Sequence, residues 1–323
     1  MTHMRMQFAD TSGLHHHPDC IYLGVDPNTG AEIGYPLDRH AFTIAGSRTG
    51  KGACQIIPTL LRWPHAAIVI DPSGEAVERT AHIRREMFGP VAVLDPFGEE
   101  PDGEPFRASI NPLDYVQTEE DLDALADGLI VPDPKSQAHW IEGPRQICTG
   151  LLYYLWKAPE MDGLRHLPML RELIGDLQTA SAPDGTSPRD DLLASMRALG
   201  GLAAATANRL SGGTTENRNL IDGLETQTQW IDRERFRDLL ASSSVDLRAL
   251  KGGCLTLYLV IPSKRVRTYG RFLRLFVRLA MDVMGQDRRD KSPCLFILDE
   301  FHALGRMDEI TVNAGLMPKY GVT

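Results

Sequence analysis

AFTIAGSRTGKGACQIIPTLL, residues 41–61, decides the fold. Ala41-Phe42-Thr43-Ile44 is an apolar run of strand length, and a loop carrying Gly46 and Gly50 follows it. Lys51 comes next, and then Ile56, Ile57, Leu60 and Leu61 recur at helical spacing. Strand, glycine-bearing turn, lysine and helix is the arrangement that cradles nucleotide phosphates. Backbone N–H groups line the loop, the helix N-terminus adds partial positive charge, and the lysine reaches the terminal phosphates. The expected nucleotide contacts are Gly46, Ser47, Arg48, Thr49, Gly50, Lys51, Gly52 and Ala53, and the nucleotide is ATP or GTP. Two positions depart from the common pattern GxxxxGK followed by Ser or Thr. Ala45 stands at the first glycine and fits there only with negative φ. Gly52 stands at the hydroxyl position, so a metal must lean on water, nucleotide and other side chains.

The partner of this loop is expected at Leu295-Phe296-Ile297-Leu298-Asp299-Glu300, a short apolar strand ending in two carboxylates. An Asp at the carboxyl end of a buried strand beside a phosphate loop holds Mg2+, directly or through water. Glu300 is placed to orient or deprotonate an attacking water. Adjacent carboxylates repel unless a cation compensates. Lys51, Asp299 and Glu300 are thus the expected catalytic residues, with Asp299 the metal residue.

Working outward, the 323 residues are 42% hydrophobic, enough for one large or two ordinary domains. The net charge of −9 excludes a generally basic nucleic-acid coat, although not a local basic lining. Asp95–Asp133 holds 12 acidic residues and one basic, while Ser263–Lys291 holds 9 basic and 3 acidic, which predicts two differently charged faces. The five cysteines are scattered without a CxxC pair, the usage of a reduced, metal-free cytosolic chain. His15-His16-His17 lacks further ligands at useful spacing and reads as part of a polar tail. No apolar stretch approaches the roughly 20 residues needed to cross a bilayer, so the polypeptide is expected to be soluble.

Strand signals at 21–25, 41–45, 66–70 and 91–94 alternate with helical patterns at 53–62 and 75–87, as buried parallel strands in an α/β domain do. From 119 to about 250 the pattern is nearly all helical: 121–130, 140–156, 167–177, 188–199, 202–210 and 217–230. Strand signals return at 254–261 and 295–298. The expected layout is a flexible lead-in at 1–20, a nucleotide-binding domain from 21–117 and 250–323, and an inserted all-α domain at 118–249.

Taken in order, these blocks resemble the type IV secretion coupling proteins, the conjugative DNA-transfer ATPases. That family typically ends its phosphate loop GKG, as Gly50-Lys51-Gly52 does, followed by an IPTLL-type helix, here Ile57–Leu61. A DPKGE-like turn stands at Asp71-Pro72-Ser73-Gly74-Glu75, a strand-end DP at Asp95-Pro96 and an NPL element at Asn111-Pro112-Leu113. YLVIP occupies Tyr258–Pro262, and the LDEF block with its LG ending occupies Leu298–Gly305. The resemblance implies a RecA-like P-loop domain of mostly parallel sheet with an all-α insert. It also implies an ATP- and Mg2+-dependent hexameric pump at the inner face of the bacterial membrane, which passes relaxase-bound single-stranded DNA or protein to a secretion channel. Ser73 replaces the family lysine. The two N-terminal membrane helices typical of the family are not in this sequence: either the protein lacks them or they precede residue 1, and the family's polar sensor strand is expected just after Thr323. The resemblance thus implies a C-terminally truncated nucleotide-binding domain and does not fix whether this stretch hydrolyses ATP by itself. Lys319, 20 residues after Asp299, lies where such ring ATPases often carry a basic residue directed at the next subunit.

Arg267, Arg271, Arg274 and Arg278 fall on one helical face. They are candidates for phosphate contacts along a DNA path or for a neighbouring subunit's nucleotide; a plain solvated face accounts for the spacing as well. His302 is expected to bond locally, His139-Trp140 to pack in a core, and His40 to contact nucleotide or hold structure. Two other functions stay open: a nucleotide-dependent docking module without turnover, and a hexameric DNA translocase of the chromosome-segregation type.

Overall fold

The computed structural model describes residues 13–36, 40–46, 49–131, 139–180, 186–286, 292–305, 310 and 317–322. Its centre is a four-stranded parallel sheet of β3 (Ala66–Ile70), β4 (Val91–Leu94), β5 (Thr256–Leu259) and β6 (Cys294–Leu298), ordered β4-β5-β3-β6. Strand alternation sends Ala67 and Val69 of β3 to one face, against Leu60, Trp63, Val77 and Ala81. Ala66, Ile68 and Ile70 face the other way, into an apolar cluster that continues through Leu151, Leu170, Phe272 and Phe276. A strand buried on both faces must read as uninterrupted apolar sequence, and AAIVI does.

The first face is covered by α1 (Ile57–Leu60) and α2 (Glu75–Met87). The second meets helices α3 (Glu119–Leu129), α4 (His139–Lys157), α5 (Leu167–Gln178), α6 (Pro188–Leu199), α7 (Gly201–Leu210), α8 (Thr215–Thr228) and α9 (Glu234–Ala241), together with α10 (Ser263–Gln286). Side-chain chemistry sets the helix starts: Ser187 and Thr214 accept bonds from Asp190 and Asn217, and Thr118 with Asp121 closes a capping box. Helices α4 and α7 approach so closely that a Cβ on Gly150 would lie 2.0 Å from Thr206 Oγ1. The stretches leading into and out of the helical segment run together. Ser109 and Ser244 exchange bonds, Ile110 N–H donates to Leu239 O at 2.9 Å, and Asn111 Nδ2 donates to Arg165 O at 2.7 Å.

Four sequence expectations need correction. Residues 41–46 form no strand; Phe42 is 79% and Ile44 86% exposed. A short apolar run becomes a strand only where a neighbour receives its backbone bonds, and none does so among the described residues. The strand read at 21–25 does form, as β1 (Cys20–Val25), but it makes an antiparallel hairpin with β2 (Glu32–Pro36) apart from the parallel sheet. The lead-in is not loose from His16 onward: His16 N–H donates to Glu32 O, and its ring meets Tyr22 edge-on. The helix read at 53–62 opens as a π-helical turn, Gly52–Ile56, before α1. No helix among the described residues is long and apolar enough to cross a membrane.

Candidate nucleotide site

Parallel register collects the site. Ile70 stands opposite both Leu259 and Leu298, and Leu94 opposite Leu259, so the residues that follow these strands share one edge. Asp71, Asp95, Asp299 and Glu300 all lie there, at the carboxyl edge of the sheet where open α/β sheets bind ligands.

The loop before α1 meets this edge. Gly50 adopts φ +88, a conformation costly for any residue with a Cβ. Its carbonyl accepts from Cys54 N–H at 2.7 Å, and Thr49 Oγ1 donates to Gly46 O at 2.7 Å, closing the turn. Ala45 is not among the positive-φ residues, the condition its side chain requires. Lys51 starts the helical turn and turns its ammonium onto Asp299, forming a half-buried ion pair across 248 residues of sequence. Ser47 and Arg48 lie outside the described residues.

Asp299 Oδ1 also accepts from Glu300 N–H at 2.8 Å. Glu300 is the one described non-glycine residue with positive φ, at +54. That conformation costs on the order of 1–3 kcal/mol and persists only where surroundings impose it. It swings the second carboxylate off the strand line, and Glu300 Oε2 stands 3.3 Å from His302 Nδ1. The two adjacent carboxylates therefore serve different neighbours, one the lysine and one an exposed histidine.

Asp71 is buried and its carboxyl is pushed up from the ordinary value by desolvation, against the pull of the bonds it accepts. These come from Val77 N–H at 2.9 Å and Ser73 Oγ at 3.1 Å. Ser73 in turn accepts from Glu75 N–H at 3.3 Å, so the residue in place of a lysine ties the strand end to the start of α2. Asp95 likewise accepts from Phe97, Gly98 and Glu100 N–H.

The arginine stripe does not present one open face. Arg274 is buried and bonds Asp127 of α3, Arg278 reaches Asp127 and Asp282, and Arg271 donates to Gln227 at 2.9 Å. Non-helical backbone at Tyr269 separates Arg267 from these three, and Arg267 alone is exposed. The pairing carboxylate lies about 150 residues away, so spacing along α10 could not announce it. Lys319 is exposed on a 3-10 turn whose next residues join β6 at Cys294, about 16 Å of strand from Asp299. Among the described residues no group of three or more His, Cys, Asp or Glu side chains could hold a metal by itself. The side chains of His139 and Trp140 lie outside the described residues, and His40 is exposed.

The family model described as "Type IV secretory system Conjugative DNA transfer" matches residues 9–323. The conjugal transfer protein TraG of Escherichia coli is 26% identical over 317 residues, covering 88% of this chain and 47% of that protein. The type IV secretion system-coupling protein VirD4 of Bartonella quintana is 23% identical over 305 residues, covering 88% and 45%. The chain thus spans about half the length of these relatives. Among solved structures, the plasmid coupling protein TrwB with the non-hydrolysable ATP analogue ADPNP has a TM-score of 0.61 at 13% identity, covering 86% of this chain and 60% of that one. TrwB with ADP and Mg2+ has a TM-score of 0.60 at 12% identity, with the same coverage.

Proposed function

We propose, for this chain that belongs to the type IV secretory system conjugative DNA transfer family, that it is the ATP-binding and ATP-hydrolysing part of a coupling protein. The work extracted drives relaxase-bound DNA, protein cargo or both toward a secretion channel. The observation that carries the reading is the meeting of Lys51 with Asp299 at the carboxyl edge of the sheet. The phosphate loop and the strand-end carboxylates are far apart in sequence and make one site.

In this reading the N–H groups of residues 46–53 and the Lys51 ammonium hold the terminal phosphates. Lys51 then exchanges one anionic partner for another, leaving Asp299 free to turn to a cation. The donors fit Mg2+, which takes carboxylate, phosphate and water oxygens. When bound, Mg2+ neutralises phosphate charge. Glu300, already directed away from Asp299, orients a water molecule and accepts its proton at a carboxylate oxygen. TrwB was solved with ADP and Mg2+, which supports carrying both ligands to this site. Arg267 and Lys319 are exposed and stay candidates for contacts with DNA or a neighbouring subunit of a homo-hexamer; Arg271, Arg274 and Arg278 act first as supports of the α10 interface. The helical segment at 118–249 is the insert, and the chain works at the cytoplasmic face of a bacterial inner membrane beside channel and relaxosome proteins.

Glu300→Gln separates binding from chemistry. With nucleotide affinity retained, steady-state ATP turnover in the full-length protein is expected to fall by about 10²–10⁴-fold, the range for loss of a general base. Turnover within a factor of three of the parent protein removes Glu300 from the mechanism.

A further inference from the structure

Gly52 leaves a space where phosphate loops of the common pattern carry a hydroxyl, and another side chain stands against it. A Cβ built on Gly52 would lie 3.2 Å from Glu75 Oε2. Glu75 is the first residue of α2, directly after the turn that leaves β3, so its backbone is fixed to the same sheet edge as Asp299. The turn leaves little choice of path. Gly74 has φ +76, and a Cβ there would lie 2.2 Å from Glu100 Oε2. Glycine at 74 therefore brings Glu75 close beneath the loop, and glycine at 52 receives it.

We propose that Glu75 supplies, from α2, the oxygen that a Ser or Thr at position 52 supplies in the common loop. Its carboxylate would hold the nucleotide's divalent cation, directly or through a water molecule, together with Asp299. Two observations beyond proximity, and one chemical argument, support this. No lysine or arginine among the described residues pairs with the Glu75 carboxylate, although Lys51 is next to Gly52 and takes Asp299 instead. The surroundings are rich in negative charge: burial, with Asp102, Asp71 and Glu78 nearby, pushes the Glu100 carboxyl up. Such an edge is better balanced with a cation present. Finally, a carboxylate in place of a hydroxyl adds charge to an oxygen donor set, which suits a hard divalent cation.

This proposal rests on the nucleotide reading above, and the test keeps the two apart. A fluorescent ATP analogue is titrated onto the protein with excess EDTA and again with Mg2+, and Mn2+ binding in the presence of nucleotide is followed by electron paramagnetic resonance. Glu75→Gln is expected to keep its EDTA affinity and to lose about 10–100-fold of the affinity gained with metal, the range for residues that support a metal. Gly52→Ser gives a contrast of sign. In the parent background the added side chain crowds Glu75 and weakens the metal-dependent gain. In the Glu75→Gln background its hydroxyl restores part of that gain. A role for Glu75 limited to the start of α2 changes thermal stability and leaves the metal-dependent gain untouched. Equal gains in the parent and in Glu75→Gln overturn the proposal while the site stands, and no nucleotide bound by the parent overturns both.

Discussion

Lys51→Ala is expected to reduce nucleotide affinity by at least about 100-fold and to abolish turnover. An ammonium donates up to three hydrogen bonds, and each to a charged acceptor is worth about 1.5–3 kcal/mol net. Losing two such bonds costs about 3–6 kcal/mol, and 1.4 kcal/mol is a factor of ten. The substitution also strips Asp299 of the one cation set against it among the described residues. With the Asp299 carboxylate uncompensated, the edge repels the triphosphate that the loop must attract. Equilibrium titration of a fluorescent ATP analogue in Mg2+ measures the loss. Affinity within threefold of the parent shows that the loop at 46–53 is not where nucleotide sits.

Arg84→Met is expected to be the most destabilising single substitution on the first face of the sheet. Arg84 has 0% exposure and no carboxylate partner among the described residues; burial draws its pKa down. Its charge is met by dipoles. Nη1 donates to Leu60 O at 2.6 Å and Trp63 O at 2.7 Å, Nη2 to His65 O at 2.8 Å, and Nε to Thr256 Oγ1 at 2.8 Å. Leu60 ends α1, whose chain began at the phosphate loop, and Thr256 begins β5. One guanidinium therefore fastens the loop-bearing segment, α2 and the central sheet together. Methionine keeps much of the volume but takes the Arg84 donors from two buried carbonyls, at Leu60 and Trp63, and from the part-buried His65 carbonyl, each lost buried partner costing about 1–3 kcal/mol. The expected total is about 3 kcal/mol or more, read from the denaturant midpoint. Arg84→Lys recovers part of it, because an ammonium reaches some of the same carbonyls. A loss below about 1 kcal/mol in Arg84→Met contradicts the clamp.

The contrast between these two residues shows what sequence carries. Lys51 was legible because its chemistry is local: a glycine turn, a lysine and an apolar helix in one continuous stretch. Asp299 was legible because a strand end in an α/β chain is a place with a direction. The helix expected at 75–87 forms over those residues, with Glu75 and Glu78 in its first turn and Arg84 and Arg85 in its last, in keeping with its dipole. An arginine in the last turn of a helix, as Arg84 is, gives no sign in sequence that it is buried. Its burial depends on carbonyls at 60, 63 and 65 and a hydroxyl at 256, and no spacing along α2 points to them. Arg274 and Asp127 are alike in this respect. The strand expected at 41–45 failed for the opposite reason: its composition was right, but strands are made by pairs. β2 and α9 went unread because EIGYP carries a proline and ERFRDLLA offers only two turns of apolar spacing. The approach of Glu75 to Gly52 is a third kind of case. Both residues were on view, one as a missing hydroxyl and one as part of a DPKGE-like turn, and only the folded chain sets them side by side.

ATP turnover by the full-length protein, measured with and without single-stranded DNA, tests the central claim most directly. Turnover is expected to rise with DNA and to disappear in both Lys51→Ala and Glu300→Gln, with nucleotide binding lost only in the first. Nucleotide bound without turnover in the parent, with or without DNA, would contradict a motor and leave a docking module in its place.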